Sequence, residues 1–154
     1  MGWHVARDED AKWLWAAYVK GAFPEAPEGL EANTTFLDWL STRASGFHEI
    51  WILTAPVGEK IRAVGVVAGR FDEYGLRPHV VWFPWSTSRN RLECALKFLH
   101  DIGREHFTWF IAKREDVPFY DHIIRYGMIR AVGKVKRIFD GEDGLMYHTT
   151  ERRD

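Results

Sequence analysis

Apolar residues along this chain recur at helical spacing in some segments and cluster in short continuous runs in others, and the switches between the two mark its elements. From Asn90 onward, Leu92, Ala95, Leu96, Leu99 and Ile102 fall at i, i+3, i+4 and i+7, the period of a helix with one buried face. Gly103 is the expected C-terminal stop of this helix, and Asn90 with Glu93 the expected capping pair. Ala11, Leu14, Trp15 and Tyr18 repeat the helical spacing after Asp8, a side chain suited to cap a helix through about Lys20 that Gly21, Pro24 and Pro27 would end. Thr34 or Thr35 opens another, Phe36 to Ala44. A last helix takes Pro118 in its first turn and runs to about Tyr126, where Gly127 can supply the left-handed residue past its end.

Between these segments the apolar runs are short, aromatic and β-branched. Gly2 to Ala6, Glu49 to Thr54, Ile61 to Ala68, Pro78 to Pro84 and Phe107 to Ala112 read as strands. Val57-Gly58-Glu59-Lys60 turns the second into the third as an antiparallel pair, and Asp140-Gly141-Glu142-Asp143-Gly144 joins Met128 to Ile138 with Gly144 to Thr150 as a closing hairpin. The predicted order is β, α, α, β, β, β, α, β, α, β, β, an α/β chain with a mixed sheet. No repeat, low-complexity stretch or long linker interrupts it, so residues 1–154 are expected to form one domain.

Composition narrows the function classes. With 46% apolar and 28% charged residues the chain can bury a core, which argues against disorder. No apolar run approaches the roughly 20 residues of a membrane span, and Met1-Gly2-Trp3-His4 has no basic or apolar leader character, so no membrane partner and a cytoplasmic location are expected. The single cysteine, Cys94, excludes an internal disulfide. A net charge of −1 gives no overall field toward nucleic acid, although Arg125, Arg130, Lys134, Lys136 and Arg137 bias the C-terminal third. The seven histidines lack the spacings of metal sites, so no metal is expected.

The order of elements resembles the GNAT superfamily of acyl-CoA-dependent N-acyltransferases over nearly the whole chain. Three local signatures carry the resemblance: Trp3-His4-Val5-Ala6-Arg7-Asp8-Glu9-Asp10-Ala11 at the opening strand and first helix, Phe83-Pro84 before the central helix, and the helix that ends at Gly127-Met128. It implies a single-domain GNAT-like α/β fold, with a mixed, mostly antiparallel sheet and helices on both faces. It also implies acetyl-CoA or another acyl-CoA as donor and a primary amine as acceptor.

In that family the loop entering the central helix has the pattern Gln/Arg-x-x-Gly-x-Gly/Ala, whose backbone N–H groups hold the cofactor pyrophosphate. The matching stretch here is Ser88-Arg89-Asn90-Arg91-Leu92-Glu93-Cys94-Ala95. Aligned on Arg89 the glycine positions hold Leu92 and Cys94, and aligned on Asn90 they hold Glu93 and Ala95. Glycine lets phosphate oxygens approach a helix N-terminus without a Cβ in the way, and Glu93 adds a carboxylate near that end. Arg89 and Arg91 are the residues able to compensate by pairing with phosphate. Phe83, Ser88, Arg89, Asn90, Arg91, Cys94 and Ala95 are the resulting cofactor-site candidates.

The family also uses a tyrosine in the last helix, in a pattern like Tyr-x-x-x-Gly-Phe, to protonate the departing thiolate. Counted back from Gly127 that position holds Ile123, which carries no proton to give. Tyr120 and Tyr126, about one helical turn to either side, are the candidates for general acid. His79, on the central strand, and Glu73, in the Asp72-Glu73-Tyr74-Gly75 turn, are candidates for general base. Trp85, in the polar loop, is either a packing residue or a platform for a ligand ring.

A narrower resemblance covers about half the chain. Trp82-Phe83, Phe107-Thr108-Trp109-Phe110 and His122-Ile123-Ile124-Arg125-Tyr126-Gly127 are similar to GNAT-like internal virion and virion-assembly proteins of short-tailed bacteriophages. That resemblance implies a fold kept for binding, with a phage or host protein as partner, in the host cytoplasm. An edge strand in the final hairpin would also allow pairing with a second copy as a homodimer.

Overall fold

A computed structural model describes residues 2–19 and 49–150. The helix expected over 36–44, and the stops expected at Gly21, Pro24 and Pro27, lie outside them. Strands β1 (Gly2–Val5), β2 (Glu49–Val57), β3 (Lys60–Asp72) and β4 (Gly75–Trp82) form an antiparallel sheet in that order. A second antiparallel sheet has the order β5 (Trp109–Lys113), β7 (Glu142–Thr149), β6 (Ile129–Phe139). Helix α1 (Ala11–Val19) follows a short 3-10 turn, Asp8–Asp10, and α2 (Ser88–Glu105) and α3 (Val117–Ile124) fall where the apolar period places helices. Among the described residues no helix is long and apolar enough to cross a membrane.

Helices cover both faces of the first sheet. Leu14 of α1 packs with Ile52, Ala63, Val66, Ala68 and Phe83 on one face, and Cys94, Phe98 and Ile102 of α2 pack with Leu53, Val64 and Val67 on the other. The second sheet has its own core, where Leu99 of α2 and Ile123 of α3 meet Phe110, Ala112, Ile129 and Tyr147. Helix α2 therefore buries two stripes. Leu92, Ala95, Leu96 and Leu99 face the second core as the period predicts, while Cys94, Phe98 and Ile102, at i, i+4 and i+8, face the first. A stripe count assumes one partner surface, and α2 has two.

Several boundaries differ from the sequence reading for identifiable reasons. The N-terminal cap of α2 is Thr87, not Asn90: the Asn90 N–H donates to Thr87 Oγ1 at 3.0 Å, and the Thr87 N–H donates to Asn90 Oδ1 at 3.2 Å. Gly103 does not stop α2, which runs on to Glu105. Its missing side chain instead leaves room for Thr149, whose Cγ2 would lie 3.2 Å from a Cβ there. At the first helix it is Asp10, not Asp8, that closes the turn, accepting from the Arg7 N–H at 2.9 Å and pairing with His4 Nε2 at 2.9 Å. Gly127 does take the left-handed conformation expected past α3, with φ of 74°.

Strand β1 is tied to α2 through Asp101. Its carboxylate accepts from Trp3 Nε1 at 2.8 Å, lies 3.0 Å from His100 Nδ1 and pairs with Lys97 Nζ at 3.1 Å. The hydrogen bond with His100, then those from Trp3 and Lys97, outweigh desolvation and hold the Asp101 carboxyl down at about 2. A folded-state value below the unfolded one means stability present above the ordinary aspartate range and lost as pH falls through about 4 toward 2. Asp101→Asn is expected to lower stability by about 1 kcal/mol at neutral pH. Urea unfolding of both proteins from pH 7 down to about pH 2 checks this, because the gap between the two curves should narrow toward the acid end.

Candidate functional site

The two sheets meet at one point and then separate. Leu76 and Thr108 form a single parallel bridge, and the Leu76 N–H donates to Phe107 O at 2.7 Å. Past that joint, among the described residues, β4 pairs only with β3 and β5 only with β7, so the two parallel strands diverge toward their C-terminal ends. The joint depends on Gly75, whose φ is 129° and whose hydrogen stands where a Cβ would overlap Phe107 O.

A cavity of about 280 Å³ occupies the gap between the diverging strands. Alternation along β4 and β5 brings side chains into it from both faces of the sheet. Trp82, Phe110 and Ala112 come from the face covered by α2 and α3, together with Ala95 of α2 and Phe119, Tyr120 and Ile123 of α3. His79, Ile111, Lys113 and Phe139 line it from the other face, where Lys113 Nζ sits 5.6 Å over the Phe139 ring. Glu115 and Asp116 border the cavity where β5 ends. The crevice beyond the carboxyl ends of diverging parallel strands is where open α/β sheets bind ligands.

Tyr120 and His79, two of the four catalytic candidates, therefore share one cavity. The Tyr120 ring packs 4.6 Å from Phe110, 5.3 Å from Phe119 and 5.5 Å from Tyr147. Burial, aided by the charge of Asp116, pushes its hydroxyl up to about 12, so it stays protonated through the physiological range. Ile123, at the position the family pattern assigns to tyrosine, is fully buried beside it. Tyr126 lies beyond the end of α3, half exposed against His122, and does not line the cavity. Glu73 is exposed in the β3–β4 turn, at the joined end of the strands and away from the cavity.

The cofactor-site candidates divide in the same way. Ser88, Arg89 and Arg91 stand at the N-terminus of α2 and Ala95 lines the cavity. Phe83 is fully buried toward α1, stacked 4.8 Å from Trp85, and so faces away from the gap. Cys94 is fully buried against β2 with its thiol donating to Thr54 O at 3.5 Å; burial pushes that thiol up to about 11, which leaves it protonated and without access to a ligand. The Asn90 side chain is committed to the cap with Thr87. Trp85 is a packing residue: its Nε1–H donates to Ala63 O at 2.8 Å and Arg62 lies 4.7 Å over its ring.

The loop that enters α2 is held by side chains in place of glycines. Ser86 Oγ donates to Phe83 O at 2.6 Å and accepts from Arg91 Nε at 2.8 Å, while Trp85 anchors the loop to β3. Arg89 Nε pairs with Glu93 at 2.9 Å, so the carboxylate near the helix N-terminus is partnered by an arginine 85% exposed. The Thr87 cap takes the third N–H of the helix, and the first two, on Ser88 and Arg89, have no intrahelical acceptor by the geometry of any α-helix. Arg91 is close enough to Asp116 for its charge to act on that carboxyl. Asp116 is nonetheless raised above the usual carboxylate range, by burial first and by Glu115 second.

Sequence reasoning missed Lys113, Glu115, Asp116 and Phe119. The signal was present, since Lys113 to Asp116 stands between a strand-like run and a helix with Pro118 in its first turn. That stretch reads equally well as a solvated turn.

No known family model matches the sequence, and no curated protein matches it. Solved structures do match in three dimensions. A GCN5-related N-acetyltransferase from Kribbella flavida superimposes with a TM-score of 0.62 at 12% identity, covering 95% of each chain. A variant of the spermidine N-acetyltransferase SpeG from Vibrio cholerae gives 0.61 at 10% identity, over 97% of this chain and 94% of that one. A chain of the NatC complex bound to Gag peptide and CoA gives 0.59 at 10% identity, over 99% and 100%. Together with the split between β4 and β5, these matches establish that the chain has the GNAT fold, the α/β architecture of the GCN5-related N-acetyltransferases.

Proposed function

We propose that the protein is an N-acyltransferase that moves an acyl group from acyl-CoA to a primary amine. The observation that carries this reading is the cavity between β4 and β5, lined from both faces of the sheet, so that a thioester reaching it from one side can meet an amine arriving from the other. The donor would supply an activated carbonyl: the amine nitrogen attacks it, a C–N bond forms, the C–S bond breaks, and the sulfur leaves as thiolate. Tyr120 then gives its hydroxyl proton to that sulfur, while His79 takes the proton the nitrogen loses. Arg91 and the N–H groups of Ser88 and Arg89, which have no acceptor within the helix, form the anion-holding end, a degenerate version of a glycine-rich pyrophosphate loop.

Calorimetry and thermal unfolding with acyl-CoA test this reading. Ligand at about 100 times its Kd should stabilise the fold by roughly 2.7 kcal/mol. Arg89→Ala combined with Arg91→Ala should weaken CoA binding about tenfold or more, because charged hydrogen bonds to phosphate are lost. Unchanged affinity in the double variant would move the pyrophosphate away from α2. If no acyl-CoA shifts the unfolding transition, transfer is ruled out and a binding or assembly role of the kind implied by the phage resemblance takes its place.

A further inference from the structure

Helix α3, which carries Tyr120, is short. No side-chain hydrogen bond caps the N-terminus of its eight residues, Val117–Ile124, and a helix of that length has little stability of its own. Its place is set by what it packs against. Ile123 and Tyr120 lie on the second core, an apolar contact that resists separation but is non-directional. A directional contact comes from β7, where the Tyr147 hydroxyl donates to Asp121 Oδ1 at 2.9 Å. Tyr147 is fully buried in the central strand of its sheet, with Phe110 of β5 and Ala131 of β6 as its neighbours in register. Its ring lies 5.5 Å from that of Phe110 and within 20° of parallel to it. Two ladders and a core therefore fix the donor's end of the bond. Asp121, the acceptor, is exposed and directly follows Tyr120. Burial first, then Asp121, keeps the Tyr147 hydroxyl above the ordinary tyrosine range, so it remains a donor.

We propose, resting on the acyltransferase reading, that Tyr147 is a positioning residue: by holding Asp121 it sets the rotation of α3 about its axis, and thereby the direction of the Tyr120 hydroxyl. Consecutive residues of a helix belong to one rigid turn, so a bond that pins Asp121 pins Tyr120 with it. A rotation of about 10° carries a group at the rim of a helix, about 6 Å from the axis, through about 1 Å. A displacement of that size in a proton donor costs a rate factor of roughly 10² at most of such sites. Neither Tyr147 nor Asp121 lines the cavity, so the bond between them acts on catalysis through Tyr120 and leaves the walls that meet the donor in place.

The test is transfer by the whole protein from acetyl-CoA to a panel of alkylamines, amino acids and peptides. Tyr147→Phe keeps the ring and loses the bond, and it should lower kcat about tenfold while KM for acetyl-CoA stays within about twofold. Asp121→Ala should match it, and Asp121→Asn should keep the parent rate, because its amide oxygen accepts the same bond. Tyr147→Phe combined with Asp121→Ala should be no slower than either alone. In the Tyr120→Phe background Tyr147→Phe should cost nothing further, since the group it positions is gone. Amide hydrogen exchange should quicken in α3 and stay unchanged in β7. Should Tyr147→Phe fold poorly, Asp121→Ala breaks the same bond from an exposed position. A parent-like kcat in these variants, or an equal loss with and without the Tyr120 hydroxyl, overturns the positioning role and leaves acyl transfer standing. A parent that transfers to no amine of the panel overturns both.

Discussion

Tyr120→Phe should lower kcat for acyl transfer by about 10²-fold or more, while stability stays within about 0.5 kcal/mol of the parent. The ring is already an aromatic packing element against Phe110, Phe119 and Tyr147, and phenylalanine keeps those contacts. Only the hydroxyl is lost, and with it the proton for the departing sulfur. A hydroxyl held at about 12 is protonated at any pH where the protein is assayed, so the activity of the parent should not fall on the alkaline side until that range is approached. Tyr126→Phe is the control, since that residue lies outside the cavity and should cost nothing. Equal losses in both variants, or a full-rate Tyr120→Phe, would remove Tyr120 from the mechanism. Steady-state kinetics with a fixed amine and varied acyl-CoA, alongside urea unfolding, separates the two effects.

Gly75→Ala should be the most damaging single methyl addition in the described residues, costing about 3–5 kcal/mol. Its Cβ would meet Phe107 O at an impossible distance, the obstacle is backbone, and the φ of 129° disfavours any side chain. Relief requires β4 to move off Phe107, which breaks the Leu76 N–H to Phe107 O hydrogen bond and opens the joint between the sheets. Gly133→Ala in β6 makes the contrast, because a Cβ there meets nothing within 4 Å and its φ is not positive. It should change stability by less than about 0.5 kcal/mol. Guanidinium unfolding of both variants checks the pair, and a Gly75→Ala midpoint equal to that of Gly133→Ala would show that the joint tolerates displacement.

Most of the elements were legible in the residues themselves. Short apolar, aromatic and β-branched runs placed β1 to β7, and the 3.6-residue period placed the three described helices, to within a few residues, and the resemblance placed them in the GNAT order. What stayed illegible had a common cause, which is that one side chain can answer to more than one surface. Cys94 falls outside the single apolar stripe read on α2, yet it is buried because the helix bridges two sheets. Thr87 was passed over as a cap because Asn90 and Glu93 offered an equally good pair in sequence. The candidate site shows the same ambiguity. Tyr120 and Tyr126 flank Ile123 by similar spacings, and only the packing of α3 against β5 turns Tyr120 inward while leaving Tyr126 beyond the helix end.

The chain by itself determined its periodicities, its turn residues and its order of elements, because backbone propensity, glycine and proline geometry and the burial of apolar faces are local properties that a linear pattern carries. Only the tertiary structure decided where chemistry can occur. The cavity exists because two strands far apart in sequence touch at Leu76 and Thr108 and then part, and that divergence follows from a glycine contact and the twist of two separate sheets. That His79, Tyr120 and Asp116 line one cavity is a consequence of that parting, a long-range arrangement that no local spacing encodes.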